Sequence, residues 1–343
     1  MGAARAWIAA VIAACALAGA WHPAVAAEPV AIRIAWTVTP GQLIPLLGEL
    51  AKRHPELMPH RGKSYVAEAV HFNGSTQQIA AMAAGELEVA AFAPSSLALA
   101  VTNAHLDMRV VADVIQNGVP GYFTIEYMVR ADSGIERIED LQGRIVATNA
   151  IGGAVDLAMK KMLLGHGLQA TRDYQVVEIA FPNMLAAVAE KKIDLAAMNM
   201  PFVIAAHRQG NLKTLFTMSR AVGPSQLQLW AMTAGFIQAH RPALVDFFED
   251  HINGVRWFLD PKNRAEALAI AAGFTRQKPE DLAYAFTRRD FYRSPDCVPD
   301  VAAIQKEIDM SAELGMLPQP VRLSPGYLDL SLIRDAKRRI DGP

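Results

Sequence analysis

The sequence predicts an α/β chain in two lobes, with mostly parallel sheets and helices on both faces. Three observations carry this reading. Apolar runs of strand length alternate with runs of helical period through the first part of the chain. The alternation restarts after the turn-rich Asn117-Gly118-Val119-Pro120-Gly121. A second turn-rich stretch, Val222-Gly223-Pro224-Ser225, leads to one more apolar run and a helical tail.

Residues Met1–Ala27 have the three parts of an export signal. These are an early positive charge at Arg5, an uncharged apolar run from Ala6 to Ala20, and the small-x-small pattern Ala24-Val25-Ala26. The run is too short for a transmembrane helix, which needs about 20 residues. A competing pattern, Ile12-Ala13-Ala14-Cys15, resembles a lipoprotein box and would anchor the chain at Cys15, but it leaves a very short apolar region. Cleavage after the signal leaves Cys297 as the one cysteine, so no internal disulfide forms and stability rests on packing. The mature protein is expected in the periplasm.

Val30–Trp36 reads as a buried strand. A helical stretch from Pro40 to Leu50 follows, with Leu43, Leu46, Leu47 and Leu50 on one face. Ser64–Phe72 alternates toward a strand, Asn73-Gly74-Ser75-Thr76 reads as a turn with a helix cap, and Gln77–Ala84 as the helix after it. Leu87–Phe92 and Met108–Ile115 are further strands, separated by a helix opening at Pro94-Ser95-Ser96. In the second run, strands are expected at Thr124–Arg130, Arg144–Thr148, Gln175–Ile179, Leu195–Met198 and Leu212–Phe216. Helices are expected from Ala154 to His166 and from Asn183 and Pro201. The tail predicts helices over His240–Leu259, Asn263–Ala272, Pro279–Arg288 and Val298–Leu314. This organisation gives a signal at 1–27, a first lobe from 28–120 and 225–343 with the helical tail, and a second lobe at 121–224 inserted into it. Two crossings make a hinge, and ligands favour such interfaces.

The 343 residues carry 33 Lys+Arg against 34 Asp+Glu, which supplies no basic field for nucleic acid. The histidines show no metal-ligand spacing, and no phosphate loop or nucleophile motif is present, so neither metal nor cofactor is expected. In open α/β sheets ligands bind beyond the carboxyl ends of the strands. The candidate ligand-binding residues are therefore Trp36, Thr37, Asn73, Gly74, Ser75, Thr76, Phe92 and Ser95 in the first lobe, and Gly152, Gly153, Ala154, Asn199 and Phe202 in the second. Two of these turns, Gly74–Gln77 and Gly152–Val155, open helices, whose free N–H groups and positive dipole end suit an acidic head group. Ser75, Thr76, Ser95 and Ser96 offer hydroxyl donors, against the commoner role of capping. Trp36, Phe92 and Phe202 would flank an apolar body. Tyr122, Phe123 and Trp230 lie near the crossings as further walls. Arg288-Arg289-Asp290 reads as a solvated face.

Three stretches carry a family resemblance. They are HFNGSTQQIAAMAAGELEVAAFA from His71 to Ala93, the run from Val129 to Gly167 containing VRADSGIERIEDLQGRIVAT and GHGL, and AAVAEKKIDLAAMNMPF from Ala186 to Phe202. In order and spacing the chain resembles periplasmic substrate-binding proteins of ABC transporters of the taurine, aliphatic sulfonate and nitrate type. The resemblance implies the two-lobed periplasmic-binding-protein fold of type II. It also implies a monomeric, non-enzymatic receptor that captures a small anion and hands it to an ABC permease and its ATPase. The loop Asn149-Ala150-Ile151-Gly152-Gly153 departs from the polar, serine-bearing turn expected for nitrate or taurine. With Met198 and Met200 it points to a larger organic anion, an aromatic carboxylate or an organosulfonate. The alternatives are an enzyme of the same fold acting on a small carboxylate or pyrimidine precursor, and a ligand-sensing partner of a membrane receptor.

Overall fold

The computed structural model describes residues 28–342, so the export signal at Met1–Ala27 and the alternative anchor at Cys15 lie outside the described residues. Strand β1 (Val30–Trp36) pairs in parallel with β2 (Tyr65–His71) from Val30↔Tyr65 to Trp36↔His71. Between them run helix α1 (Ile44–Arg53) and a short 3-10 turn. Helix α2 (Ser75–Ala83), β3 (Ala90–Phe92), α3 (Pro94–Thr102) and β4 (Met108–Asn117) follow. The β1–β2 pair joins a three-stranded sheet, ordered β3-β10-β4, through a parallel bridge between Ile34 and Val89. Its middle strand β10 (Ser225–Thr233) comes from after the second crossing and runs antiparallel to both neighbours.

The other half is a five-stranded sheet in the order β7-β6-β8-β5-β9. Its strands are β5 (Glu126–Arg130), β6 (Ile145–Thr148), β7 (Gln175–Glu178), β8 (Leu195–Met198) and β9 (Leu212–Thr217). Here β5 is the reversed strand, antiparallel to β8 and β9, while β6 runs parallel to β7 and β8. Each sheet is thus parallel except for the strand that enters just after a crossing. Helices α4 (Ala154–Gly165), α5 (Phe181–Ala189), α6 (Phe202–Gln209) and the short α7 (Met218–Val222) connect this half. The tail comprises α8 (Ala234–Leu259), α9 (Arg264–Thr275), α10 (Val301–Glu313) and α11 (Ser331–Asp341). The apolar strands are buried on both faces, as sheets covered by helices require: β3 and β8 have no exposed residue.

Several local expectations give way to tertiary contacts. The stretch 279–288 is a chain of turns rather than a helix. The carbonyls of Ala283 and Ala285 accept from the Arg264 guanidinium at 2.6 and 2.8 Å, which supplants helical bonding there. Helix α1 begins at Ile44, because residues 38–41 form turns in which Gln42 N donates to Val38 O. Helix α8 begins a turn and a half before His240, capped by Thr233 Oγ1 accepting from Phe236 N at 3.3 Å; it kinks at His240, next to Pro242, which supplies no N–H. Asp290 is fully buried rather than solvated, paired with Arg293 at 3.0 Å.

Candidate functional site

Between the sheets lies a small chamber with a cavity volume of about 40 Å³, room for about three water molecules. One wall is built from Thr37, Val38 and Gln42 after β1, Ser75 at the start of α2, Ala93 before α3, and Leu227 and Gln228 in β10. The other comes from Asn149 and Ala150 after β6, Gly153–Val155 at the start of α4, Phe181 at the start of α5, and Asn199 and Met200 before α6. Gly41, Ile115, Ile125 and Phe291 complete the lining. Among the described residues that line it, none is charged.

Three helices, α2 from one half and α4 and α5 from the other, therefore begin at this chamber, and the residues just before α3 and α6 line it as well. Each brings the positive end of a peptide dipole, and the first-turn amides have no intrahelical acceptor. Side-chain polarity is supplied by amides and hydroxyls. Gln42 accepts from Thr37 N and donates to Gln228 Oε1, while Gln228 Nε2 reaches Thr37 Oγ1 at 3.4 Å. Ser75 Oγ accepts from Ala93 N at 3.3 Å, which leaves its own proton to donate. Asn199 Oδ1 is buried without a partner.

The α4 turn differs from expectation in which donors are open. Gly152 N is taken by the buried Asp156 carboxylate at 2.9 Å, and Gly153 N by Ala150 O at 3.1 Å. Lys160 balances Asp156 at 2.6 Å. The amides of Ala154 and Val155 are the ones facing a free role. Gly152 has a φ of +85°, so the backbone calls for glycine there, and a Cβ would also push on the end of the Leu99 side chain at 2.9 Å.

An outer cleft of about 290 Å³ adjoins the chamber and shares Thr37, Val38 and Phe181 with it. Trp36, His71 and Phe274 line one side, and Phe181, Pro182 and Phe202 come from the other half. The Trp36 ring meets His71 and Phe274 edge-on, at 4.5 and 5.8 Å between centroids.

The structure thus brings Thr37, Ser75, Gly153, Ala154 and Asn199 to the chamber, and Trp36, Asn73 and Phe202, with Thr37 again, to the outer cleft. The Thr76 hydroxyl donates to Ile151 O at 3.0 Å and Ser96 Oγ to Gly152 O at 3.4 Å, so these side chains tie the halves together rather than line the chamber. Gly74 marks the same contact: a Cβ on it would lie 2.6 Å from Ala150 Cβ. Phe92 and Ser95 are fully buried, since β3 and the start of α3 pack into the first sheet's core, and neither lines the chamber. Of the expected walls at the crossings, Phe123 packs on Phe291 at 5.0 Å, Tyr122 on Tyr292, and Trp230 on His251 at 4.4 Å. Gln42, Gln228 and Phe181 were missed by sequence reasoning, whereas Asn149 opens one of the strand-end turns singled out there. Asn149 and Phe181 do follow strands, as the strand-end rule requires.

A sequence model of the NMT1-like family matches residues 26–272. A search of curated proteins finds no match. Among solved structures, the chain is similar to the alkanesulfonate-binding protein SsuA from Xanthomonas axonopodis pv. citri bound to MOPS. Identity is 20%, the TM-score is 0.67, and the match covers 89% of this chain and 100% of that one. It is also similar to the periplasmic nitrate-binding protein NrtA from Synechocystis PCC 6803, at 12% identity and a TM-score of 0.71, over 92% of this chain and 90% of that one. The desulfurization enzyme DSZB matches at 13% identity and a TM-score of 0.61, over 91% of this chain and 99% of that one. At these identities the likeness establishes the two-lobed periplasmic-binding-protein fold, a scaffold used by binding proteins and by an enzyme alike.

Proposed function

The chain belongs to the NMT1-like family, and on that premise we propose that it is an extracytoplasmic solute receptor that captures a small organic anion and delivers it to an ABC permease and its ATPase. The single observation that carries this reading is the convergence of helix starts from both halves on a chamber whose lining has no charged side chain. Such a site attracts a carboxylate or sulfonate through oriented amides and dipoles, without a cation. In this reading residues 28–120 and 225–343 form one lobe, 121–224 the other, and the export signal places a monomer in the periplasm. The ligand touches both lobes only when they are closed, so binding draws the lobes together. The chamber lining offers no carboxylate, imidazole or thiol for general acid–base work, which favours capture over the chemistry of the enzyme that shares the fold.

Calorimetric titration and thermal shift with matched acids and neutral amides or alcohols test the reading. Acids are expected to bind, and at about 100 times the dissociation constant to add about 2.7 kcal/mol of stability. Gly153→Asp puts a carboxylate at the cap of α4, a favourable position for the helix, yet next to the open amides of Ala154 and Val155. This variant is expected to stay folded and lose acid binding. A panel in which neutral compounds stabilise the protein and acids do nothing would sink the anion assignment.

A further inference from the structure

We propose that the ligand is bipartite: an acidic head in the chamber joined by a short link to an aryl group held in the outer cleft. This rests on the receptor reading above and narrows it to aryl and arylalkyl acids.

The two volumes make the case first. The chamber, at about 40 Å³, holds a head group and little more, whereas the adjoining cleft offers about 290 Å³. A carboxylate or sulfonate occupies roughly the space of the three waters the chamber admits. The boundary the two share at Thr37, Val38 and Phe181 gives the rest of the ligand a way out of the chamber into the cleft.

The chemistry of the two compartments differs in the same sense. Amides, hydroxyls and helix starts surround the head. The cleft instead presents Trp36, His71 and Phe274 on one side and Phe181 and Phe202 on the other. Flat rings on opposed walls select a flat apolar guest, through offset or edge-on contacts as well as area. Phe274 supports the assignment from a different direction. It is a large apolar side chain left 38% exposed at the end of α9, and its ring turns edge-on to Trp36. An aryl group in the cleft covers it.

Titration of two matched pairs tests the proposal: methanesulfonate against benzenesulfonate, and propionate against 3-phenylpropionate. In the wild type the aryl member of each pair is expected to bind about tenfold tighter or more. Phe274→Ala removes a partly exposed ring and is expected to abolish most of that advantage, read as the ratio of aryl to compact affinity within each pair. Trp36→Leu, read alongside, is expected to do the same. Equal affinity for compact and aryl acids, or an aryl advantage that survives both substitutions, overturns the bipartite ligand and leaves the receptor reading standing. Failure of every acid, compact and aryl alike, overturns the receptor reading and this proposal with it.

Discussion

His251 shows how strongly single residues are governed by their surroundings. It lies on α8 against Trp230, Phe247 and Phe248, in a small cavity that Asp113, Arg293 and Cys297 also line. Burial alone pushes its pKa down to about 3, and burial pushes Asp113 up to about 6 against the opposing bonds from Gln226 and Ser294 N. A histidine neutral in the folded state and free to protonate when unfolded stabilises the fold fully above pH 6.5. That contribution is lost as pH falls toward 3, at about 1.4 kcal/mol per pH unit. Asp113 acts with the opposite sign between about 4 and 6, so the difference between wild type and a His251→Leu variant isolates the histidine. Urea midpoints from pH 7 to pH 4 are expected to show the wild type losing stability relative to the variant, and parallel curves would refute the neutral histidine. Residues like this were invisible in the sequence, because a lone histidine carries no pattern. The legible site residues were those at strand ends or in the turns that follow them: Trp36, Thr37, Ser75, Gly153, Asn199 and Phe202. Gln228 lies within β10, and which way a strand residue faces depends on a register that the sequence does not display.

Among the elements, strands and core helices followed their apolar period, and departures occur where a distant side chain takes over the backbone. The turns at 279–288, held by Arg264, and the loop at 38–42, where buried Arg293 donates to Gly41 O at 2.8 Å, are both of this kind. A helix is read from contacts within about four residues, and these contacts reach across 21 and 252 residues. The amphipathic α11 also escaped notice, although it packs along α8 with Leu332, Ile333 and Ala336 buried. Helix packing itself is tight. Gly254 of α8 faces α1 so closely that a Cβ would sit 2.4 Å from Leu47 Cδ2 and 2.8 Å from Met58 Cε. Gly254→Val is expected to destabilise the protein by about 1–3 kcal/mol through overpacking. A urea midpoint at or above that of the wild type would show that α8 shifts freely.

For the whole molecule, the two halves meet through a close backbone approach at Gly74 and through the ion pairs Lys161–Glu313 and Arg208–Asp281. Gly74 has an extended backbone that any residue adopts, so its absent side chain serves the contact with Ala150 and not the turn. Gly74→Ala inserts a methyl group between the halves. It is expected to leave each half folded, to weaken ligand binding about tenfold or more, and to increase the radius of gyration of the ligand-saturated protein in X-ray scattering. Unchanged affinity and radius would mean that the halves close without this contact. Two halves were legible from the restart of the strand–helix rhythm, whereas how closely they approach depends on which glycines end up opposite which loops.

The position of β10 has a consequence for how the chain is made. Every strand of the second sheet lies between Glu126 and Thr217, so that half has all its members once Thr217 has been synthesised. The first sheet is different, because β10 is the neighbour that β3 and β4 share. Residues 108–117 wait for residues 225–233, with the whole of the other half threaded between them. The part of the protein that begins first is the last to be sealed, and loop-closure entropy makes it the slower of the two to assemble.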